Sequence, residues 1–246
     1  MQDDLLDAEA AIDWAVAQLP ILEKRVIAWR RNKPYTVRID VDSEPGKKLY
    51  RLGNIKPLVP IINAEAGAMI HSIRSSLDLL ACALAARNGF PDSTSTYFPI
   101  WKSQDEFLTN RDPRPLKKIK RLSQVCQDTI KSLKPYPGGN DLLCALHKLD
   151  LTRKHRRLLN TFISPRGIGF VPSLVGAVTM GDWYGFHDEA VLCSTSTDSP
   201  DSNVTINPLV AFDEAGVTHG KNFTASIRDF ARMAKDILVL FVRAGT

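Results

Sequence analysis

Cysteine is scarce in this chain, and its placement gives no sign of a disulfide framework or of a zinc-binding module. The four cysteines stand far apart and form no C-x-x-C pair: Cys82, Cys126, Cys144 and Cys193. Small secreted domains and zinc modules use cysteines at short, paired spacings. The spacing therefore predicts reduced thiols and a cytoplasmic location.

Long hydrophobic runs are also missing. The longest apolar stretches lie near 77–86 and 237–242, well short of the roughly 20 residues that cross a bilayer. The beginning of the chain is acidic, whereas a secretory signal begins with basic residues. These features predict a soluble protein with no membrane partner.

The sequence lacks the common nucleotide and hydrolase motifs. It contains no G-x-x-x-x-G-K-[ST], no G-x-G-x-x-G and no G-x-S-x-G, which are the usual patterns for a P-loop, a dinucleotide fold and a nucleophile elbow. We therefore expect no cofactor.

What the chain does have is enough apolar material for a full core. With 246 residues, 44% hydrophobic and 24% charged, it can fold as a single domain over 1–246. Apolar residues at three- and four-residue spacing predict five helices, near 3–31, 59–87, 115–132, 141–161 and 222–243. Alternating β-rich stretches lie near 35–55 and 167–213.

Because the strands cluster apart from the helices, the order predicts an α+β fold. We expect a mainly helical bundle, with one small antiparallel sheet formed by an early hairpin and the late strands. Pro20 should break or kink the first helix. Ser103 should cap a short helical turn, and Asp141 should cap the helix near 141–161.

Two of the predicted helices carry matching polar stripes. His71, Arg74 and Asp78 follow an i, i+3, i+7 spacing, and so do His147, Asp150 and Lys154. This spacing places each trio along one side of its helix, among Leu, Ile, Ala and Cys residues. Buried polar groups need partners, so we expect the two stripes to face each other.

Three interpretations of these stripes are open. They can be a structural network that fixes how the helices pack. They can be catalytic, with His71, His147 or the neighbouring His155 as general acid or base and Arg74 or Lys154 steadying phosphate charge. A metal site is the third interpretation, but residues about 10 Å apart along one helix do not easily share an ion, so no metal is predicted.

Basic residues gather in two places, and the formal net charge is +5. The first group lies just before the middle of the chain, and the second lies at the end of the second stripe: Lys117, Lys118, Lys120 and Arg121, then Arg153, Arg156 and Arg157. Such clusters can hold phosphate groups. They make RNA a candidate partner.

The motif HSIRSSLD at 71–78 and the motif LHKLDLTRKHR at 146–156, with Phe98-Pro99-Ile100 between them, resemble those of a family of uncharacterised bacterial cytoplasmic proteins. More broadly, the chain resembles the HEPN helical superfamily. That superfamily includes RNA-cutting toxins, defence proteins and inactive binding domains. The Arg-x(4–6)-His motif of its active members has no counterpart here, so the resemblance implies the bundle more than the activity.

Together these observations predict a HEPN-like helical protein that acts on or through RNA. If it is an enzyme, metal-independent RNA cleavage is the reaction that the stripes would suit. The alternative is a non-catalytic interaction module, such as an antitoxin or a defence-system component, that binds a protein partner or forms a homodimer.

Overall fold

The structure is a computed structural model, and it describes residues 3–54, 56–91, 94–155, 161–171, 179–180, 190–212 and 221–243. After a short 3₁₀ turn at Asp3–Leu5, the helices in the described residues are α1 Leu6–Arg31, α2 Pro60–Arg87, α3 Gln104–Thr109, α4 Arg114–Ile119, α5 Gln124–Ser132, α6 Asp141–His155 and α7 Phe223–Arg243. The strands are β1 Thr36–Val41, β2 Lys47–Gly53, β3 Thr161–Val171, β4 Thr179–Met180, β5 Ala190–Ser196 and β6 Asn203–Phe212. The fold is α+β, as the sequence predicts.

The main core lies between α2 and the helices that pack on it, α1, α6 and α7. The central helix α2 buries residues at three- and four-residue spacing along its whole length, among them Ile70, Ile73, Leu77 and Leu84. It is also long and apolar enough to cross a membrane, but just over half of that stretch, 56%, is buried in the protein. That burial is typical of a core helix, which is consistent with a soluble protein.

Three helix predictions need correction. Of the break or kink predicted at Pro20, the structure contradicts the break, because helix α1 continues from Leu6 to Arg31. Its packing against α2 and α7 outweighs one missing backbone hydrogen bond. The predicted helix 115–132 is two helices, α4 and α5. The chain turns between them so that Ile119 and Leu122 are both buried, and Ser123 caps α5 through the amide of Cys126.

Helix α6 also differs from the prediction at both ends. The side chain that caps it is Asn140, which accepts the amide hydrogen of Leu143. Asp141 instead accepts a hydrogen bond from the amide of Gly138, so it fixes the preceding turn. The helix ends at His155, and by Thr161 the chain is in β3.

The strands form two sheets, whereas one was expected. The early hairpin β1–β2 pairs with β5, which also pairs with β4, in the antiparallel order β1-β2-β5-β4. Strands β3 and β6 pair with each other in a separate two-stranded sheet. Their ladder shifts register between Pro165 and Gly167, where Pro165 lies opposite Pro208 and neither proline has an amide hydrogen to donate.

Candidate functional site

Helices α2 and α6 bring the two polar stripes together. We call their six residues the polar seam: His71, Arg74 and Asp78 on α2, and His147, Asp150 and Lys154 on α6. Two of them are almost fully buried, since Arg74 is 4% exposed and Asp150 is 2% exposed. The seam is therefore an interior contact whose two edges reach solvent.

Arg74 is the centre of one half of the seam. Its Nη1 donates to Asp78 Oδ1 at 2.7 Å, and its Nη2 donates to the carbonyl oxygen of Phe98 at 2.8 Å. Its Nε donates a longer hydrogen bond, 3.4 Å, to Nδ1 of His147. Each nitrogen of the guanidinium thus has a partner within the protein, and the side chain is almost fully buried, so Arg74 acts as a positioning residue.

The same network fixes the segment that leads away from α2. The amide of Phe98 donates to Asp78 Oδ1 at 2.9 Å, while its carbonyl accepts from Arg74. A backbone amide and a backbone carbonyl of one residue are therefore held by an ion pair on α2. This contact gives the Phe98-Pro99-Ile100 motif a structural role, since it sets where the following residues run.

Asp150 is the centre of the other half. Its Oδ1 lies 2.9 Å from Nδ1 of His71, and its Oδ2 lies 2.7 Å from Nζ of Lys154. An ionised carboxylate can only accept, so His71 must carry its hydrogen on Nδ1. In the neutral ring, Nε2 of His71 is then an unprotonated base on a side chain that is 39% exposed.

In His147 the ring hydrogen lies on the other nitrogen. Burial lowers its pKa to about 4, and the positive charges of Arg74 and Lys118 contribute to the same shift. It is therefore neutral at pH 7. Because Nδ1 accepts from Arg74, the hydrogen of the neutral ring lies on Nε2, and His147 is a hydrogen-bond donor.

A pocket of about 610 Å³ opens beside His147. Its walls come from the 100–118 segment, the 137 turn and the outer side of α6, and they combine apolar surface with charge. The apolar and thiol lining is Ile100, Trp101, Pro115, Pro137, Cys144 and Leu151, and the charged lining is Lys102, Glu106, Asp112, Arg114, Lys118 and Lys148.

No family model, curated protein or solved structure matches this chain.

The electrostatics of the pocket favour an anion. Burial, and then the positive charge of Arg74, lower the pKa of Lys118, so this ammonium has lost part of its hydration without a full compensating charge. The hydrogen bond from Arg114 lowers the pKa of Asp112 to about 2, so that carboxylate stays ionised and is matched by its own neighbour. The other charged residues that line the pocket are three cations, Lys102, Lys118 and Lys148, and one anion, Glu106.

The structure separates the predicted basic residues. Lys118 lines the pocket, whereas Lys117 and Lys120 are exposed and lie outside its lining. Arg121 is not in the lining either. Arg153 lies across α2, with its side chain so close to Gly67 that a Cβ there would meet it at 3.0 Å. The His155 side chain, Arg156 and Arg157 lie outside the described residues.

Most of the pocket wall was not predicted from the sequence. Lys102, Glu106, Arg114 and Lys148 belong to it, and no spacing rule connects them, because they come from separate short elements. Two contacts hold the segment after Phe98 against the turn before α6. The amide of Trp101 donates to the carbonyl of Pro135 at 2.9 Å, and the ring of Phe107 packs against that of Tyr136, with 4.8 Å between the ring centroids.

Among the described residues, no group of three or more His, Cys, Asp and Glu side chains could hold a metal ion. The two carboxylates of the seam form ion pairs with cations of the protein: Asp78 pairs with Arg74, and Asp150 pairs with Lys154. What the seam and pocket offer chemically is one histidine donor, one histidine base and several lysines.

Proposed function

We propose that the protein binds single-stranded RNA, with one nucleotide held in the pocket beside His147. The observation that carries this proposal is the partly desolvated cation Lys118 next to the neutral donor His147, in a pocket with apolar walls. A phosphate bound there would supply the negative charge that the partly buried ammonium of Lys118 lacks.

The rest of the pocket suits the remainder of a nucleotide. Its volume, about 610 Å³, lies within the range of pockets that take small ligands. A base can pack on Ile100 and Leu151, and its carbonyl or ring nitrogen can accept from Nε2 of His147. Such a pocket requires an unstacked base, which single strands offer and duplexes do not.

Two neighbouring lysines provide the test. Lys118 lines the pocket, and Lys117 is exposed beside it in the sequence, so Lys118→Gln and Lys117→Gln remove the same charge at two places. With a short mixed RNA and fluorescence anisotropy, we expect Lys118→Gln to weaken binding about tenfold, the value of one charge-assisted hydrogen bond. Lys117→Gln should change it less than about twofold.

Salt titration gives a second measure of the same contact. For a single strand, each phosphate contact contributes about 0.7 to the slope of log affinity against log salt concentration. We expect Lys118→Gln to reduce that slope by about this amount and Lys117→Gln to leave it unchanged. Equal effects of both substitutions would show that any RNA binding is diffuse, and the pocket proposal would be wrong.

A second candidate function, metal-independent RNA cleavage, is favoured by the contact between His71 and Asp150. A buried carboxylate that holds Nδ1–H of a half-exposed histidine leaves Nε2 as a base, an arrangement used in general acid–base catalysis. His71 would take the proton of a 2′-hydroxyl, the 2′-oxygen would attack the adjacent phosphorus, and the 5′-oxygen would leave with a proton from water. Lys154, on the same carboxylate, would stabilise the phosphorane charge.

Cleavage is tested separately from binding. Mixed RNA is incubated with the protein in EDTA, and products ending in a 2′,3′-cyclic phosphate are measured. We expect His71→Gln to slow their formation by about 100-fold or more while RNA affinity stays nearly unchanged. A wild-type protein that binds RNA through Lys118 but forms no cyclic phosphate would remove the catalytic proposal and leave the binding proposal intact.

A further inference from the structure

Helix α1 has two apolar faces, and only one of them is covered within the described residues. The covered face packs into the core through residues such as Ile12, Leu19 and Leu22, each at most 3% exposed. On the opposite face, Trp14 is 46% exposed and Ile21 is 48% exposed. Large apolar side chains gathered on one exposed face of a helix are typical of an interaction surface.

The exposed residues follow a regular repeat. We call the following exposed positions, separated by steps of four and three, the outer stripe: Ala10, Trp14, Ala17, Ile21, Lys24 and Ala28. This 3.5-residue period is that of the a and d positions of a coiled coil. Over the first four positions of the stripe, small alanines alternate with large residues. The large side chains protrude, and the alanines leave space for side chains of a facing helix.

Charge along α1 is also divided. From Asp3 to Leu22 the helix and its first turn contain acidic residues and no Lys or Arg, while Lys24, Arg25, Arg30 and Arg31 follow in the last third. Two such helices repel when parallel, since like ends meet. They attract when antiparallel, since each acidic half then faces a basic half.

We propose that a second copy of this chain covers the outer stripe, through an antiparallel pairing of the two α1 helices around a two-fold axis. In antiparallel coiled coils an a position of one helix lies beside a d position of the other. One register pairs five of the six stripe positions: it sets Trp14 beside Ala17 of the second copy, Ile21 beside Ala10, and Lys24 beside the exposed Asp7, one step before the stripe.

That register fits in size and in charge at once. Each large apolar side chain meets an alanine, which lets the two helices approach and interdigitate. Lys24, the one charged residue in the stripe, meets a carboxylate. Because a two-fold axis repeats every contact, a surface must be complementary to itself to form such a dimer, and the outer stripe has that property. A foreign helix would need none of this self-complementarity.

The two faces of α1 keep dimerisation separate from folding and from the pocket. Asp13 pairs with Lys235, and Glu23 pairs with Arg228, so α7 lies along one flank of α1. The residues of the pocket come from 100–118, 137 and α6. Substitutions in the outer stripe should therefore alter the oligomeric state without altering RNA affinity per chain.

The test is sedimentation velocity on the full chain over a range of concentrations. We expect the wild type to form a dimer and Ala17→Arg, which places a long cation against Trp14, to raise the dimer dissociation constant about tenfold or more. Lys24→Asp should do the same because it sets a second carboxylate beside Asp7 of the other copy. Lys33→Asp, which makes the same change of charge beyond the helix, should not.

A charge exchange separates loss of the interface from loss of the fold. The double variant Asp7→Lys with Lys24→Asp restores opposite charges at both symmetry-related contacts, so we expect its dimer dissociation constant to lie within about threefold of the wild-type value. A wild type that stays monomeric at about 100 μM, or a double variant that fails to recover while its circular dichroism is native, would overturn the proposal. A monomer would mean that the outer stripe serves a different chain.

Discussion

At the scale of single residues, Arg74 is the side chain of the polar seam that forms hydrogen bonds to the most partners. It holds Asp78, the Phe98 carbonyl and His147 at once. Lysine has one ammonium and no planar fork, so it cannot reach three partners that lie in different directions. We expect Arg74→Lys to lower the free energy of unfolding by about 2 kcal/mol, because a buried acceptor is left without a donor.

Urea unfolding measures this loss, and Arg111→Lys is the matched control. Arg111 also pairs with an aspartate, Asp105, at 3.3 Å, but both side chains are more than half exposed. Exposed pairs contribute about 0–1 kcal/mol, so this control should leave stability nearly unchanged. Equal losses in the two variants would mean that the Arg74 network adds nothing beyond an ordinary surface pair.

His147 makes stability depend on pH. Its pKa falls from 6.5 to about 4 on folding, so between these values the unfolded chain binds a proton that the folded chain does not. The contribution of His147 to stability is therefore fully present above pH 6.5 and decreases as the pH falls toward 4, by up to about 3 kcal/mol. We expect His147→Gln, which cannot titrate but can still accept from Arg74, to flatten this part of the curve.

The measurement is the free energy of unfolding of both proteins at intervals from about pH 4 to neutral pH. The difference between the two curves isolates His147 from the acidic groups that also titrate at the lower end of this range. A constant difference throughout would contradict the lowered pKa, and an imidazole NMR titration of His147 would show the value directly.

At the scale of elements, the cap of α6 decides how that helix begins. Asn140 accepts the amide hydrogen of Leu143 at 3.1 Å, and loss of such a cap costs about 1 kcal/mol. We expect Asn140→Ala to destabilise the protein by that amount and Asn140→Ser, which keeps a capping oxygen, to restore most of it. If thermal unfolding shows the same loss for both, the cap is not what fixes this end.

Helices with a strong apolar repeat could be predicted from the sequence to their ends, whereas the cap of α6 and the break between α4 and α5 could not. The 59–87 and 222–243 predictions agree with α2 and α7 within a residue, because both helices bury one continuous stripe. Asn140 and Asp141 are both good caps, so the choice between them depends on the preceding turn. The break between α4 and α5 depends on burying Ile119 and Leu122 together, which is a tertiary effect.

The same distinction applies to the site. The residues of the polar seam share a helix side, and their charges are complementary, so their contact could be predicted. The pocket could not be, because Lys102, Arg114 and Lys118 reach it from short segments with no common repeat. Their positions follow from the fold-back after Phe98, which is set by the Arg74–Asp78 pair and has no periodic pattern of its own.

At the scale of the whole molecule, the described residues have two apolar clusters of very different size. The larger joins the helices and includes Val210 and Phe212 of β6. The smaller lies in the sheets and contains Tyr50, Leu52, Leu192, Cys193 and Ile206. Strand β6 thus contributes to both, and it is the physical link through which the sheets depend on the helical core.

A small cluster buries little apolar area, so it should open before the rest of the chain unfolds. Cys193 reports this opening because it is fully buried and burial raises the pKa of its thiol to about 11, so reaction in the closed state is negligible. In a variant with Cys82, Cys126 and Cys144 changed to Ala, we expect Cys193 to react with a thiol reagent at urea concentrations below the unfolding midpoint.

The comparison is a second reporter inside the larger cluster. Ala234 on α7 is fully buried, and Ala234→Cys, made with all four native cysteines removed, places a thiol there with a small change in volume. That thiol should react only through global unfolding, since α7 packs against α1, α2 and α6, and its opening free energy should equal the value from urea unfolding. The sheets would then be the less stable part of the molecule, open in a larger fraction of chains than α7. Identical opening free energies for the two thiols would instead mean that β6 couples the clusters into one cooperative unit.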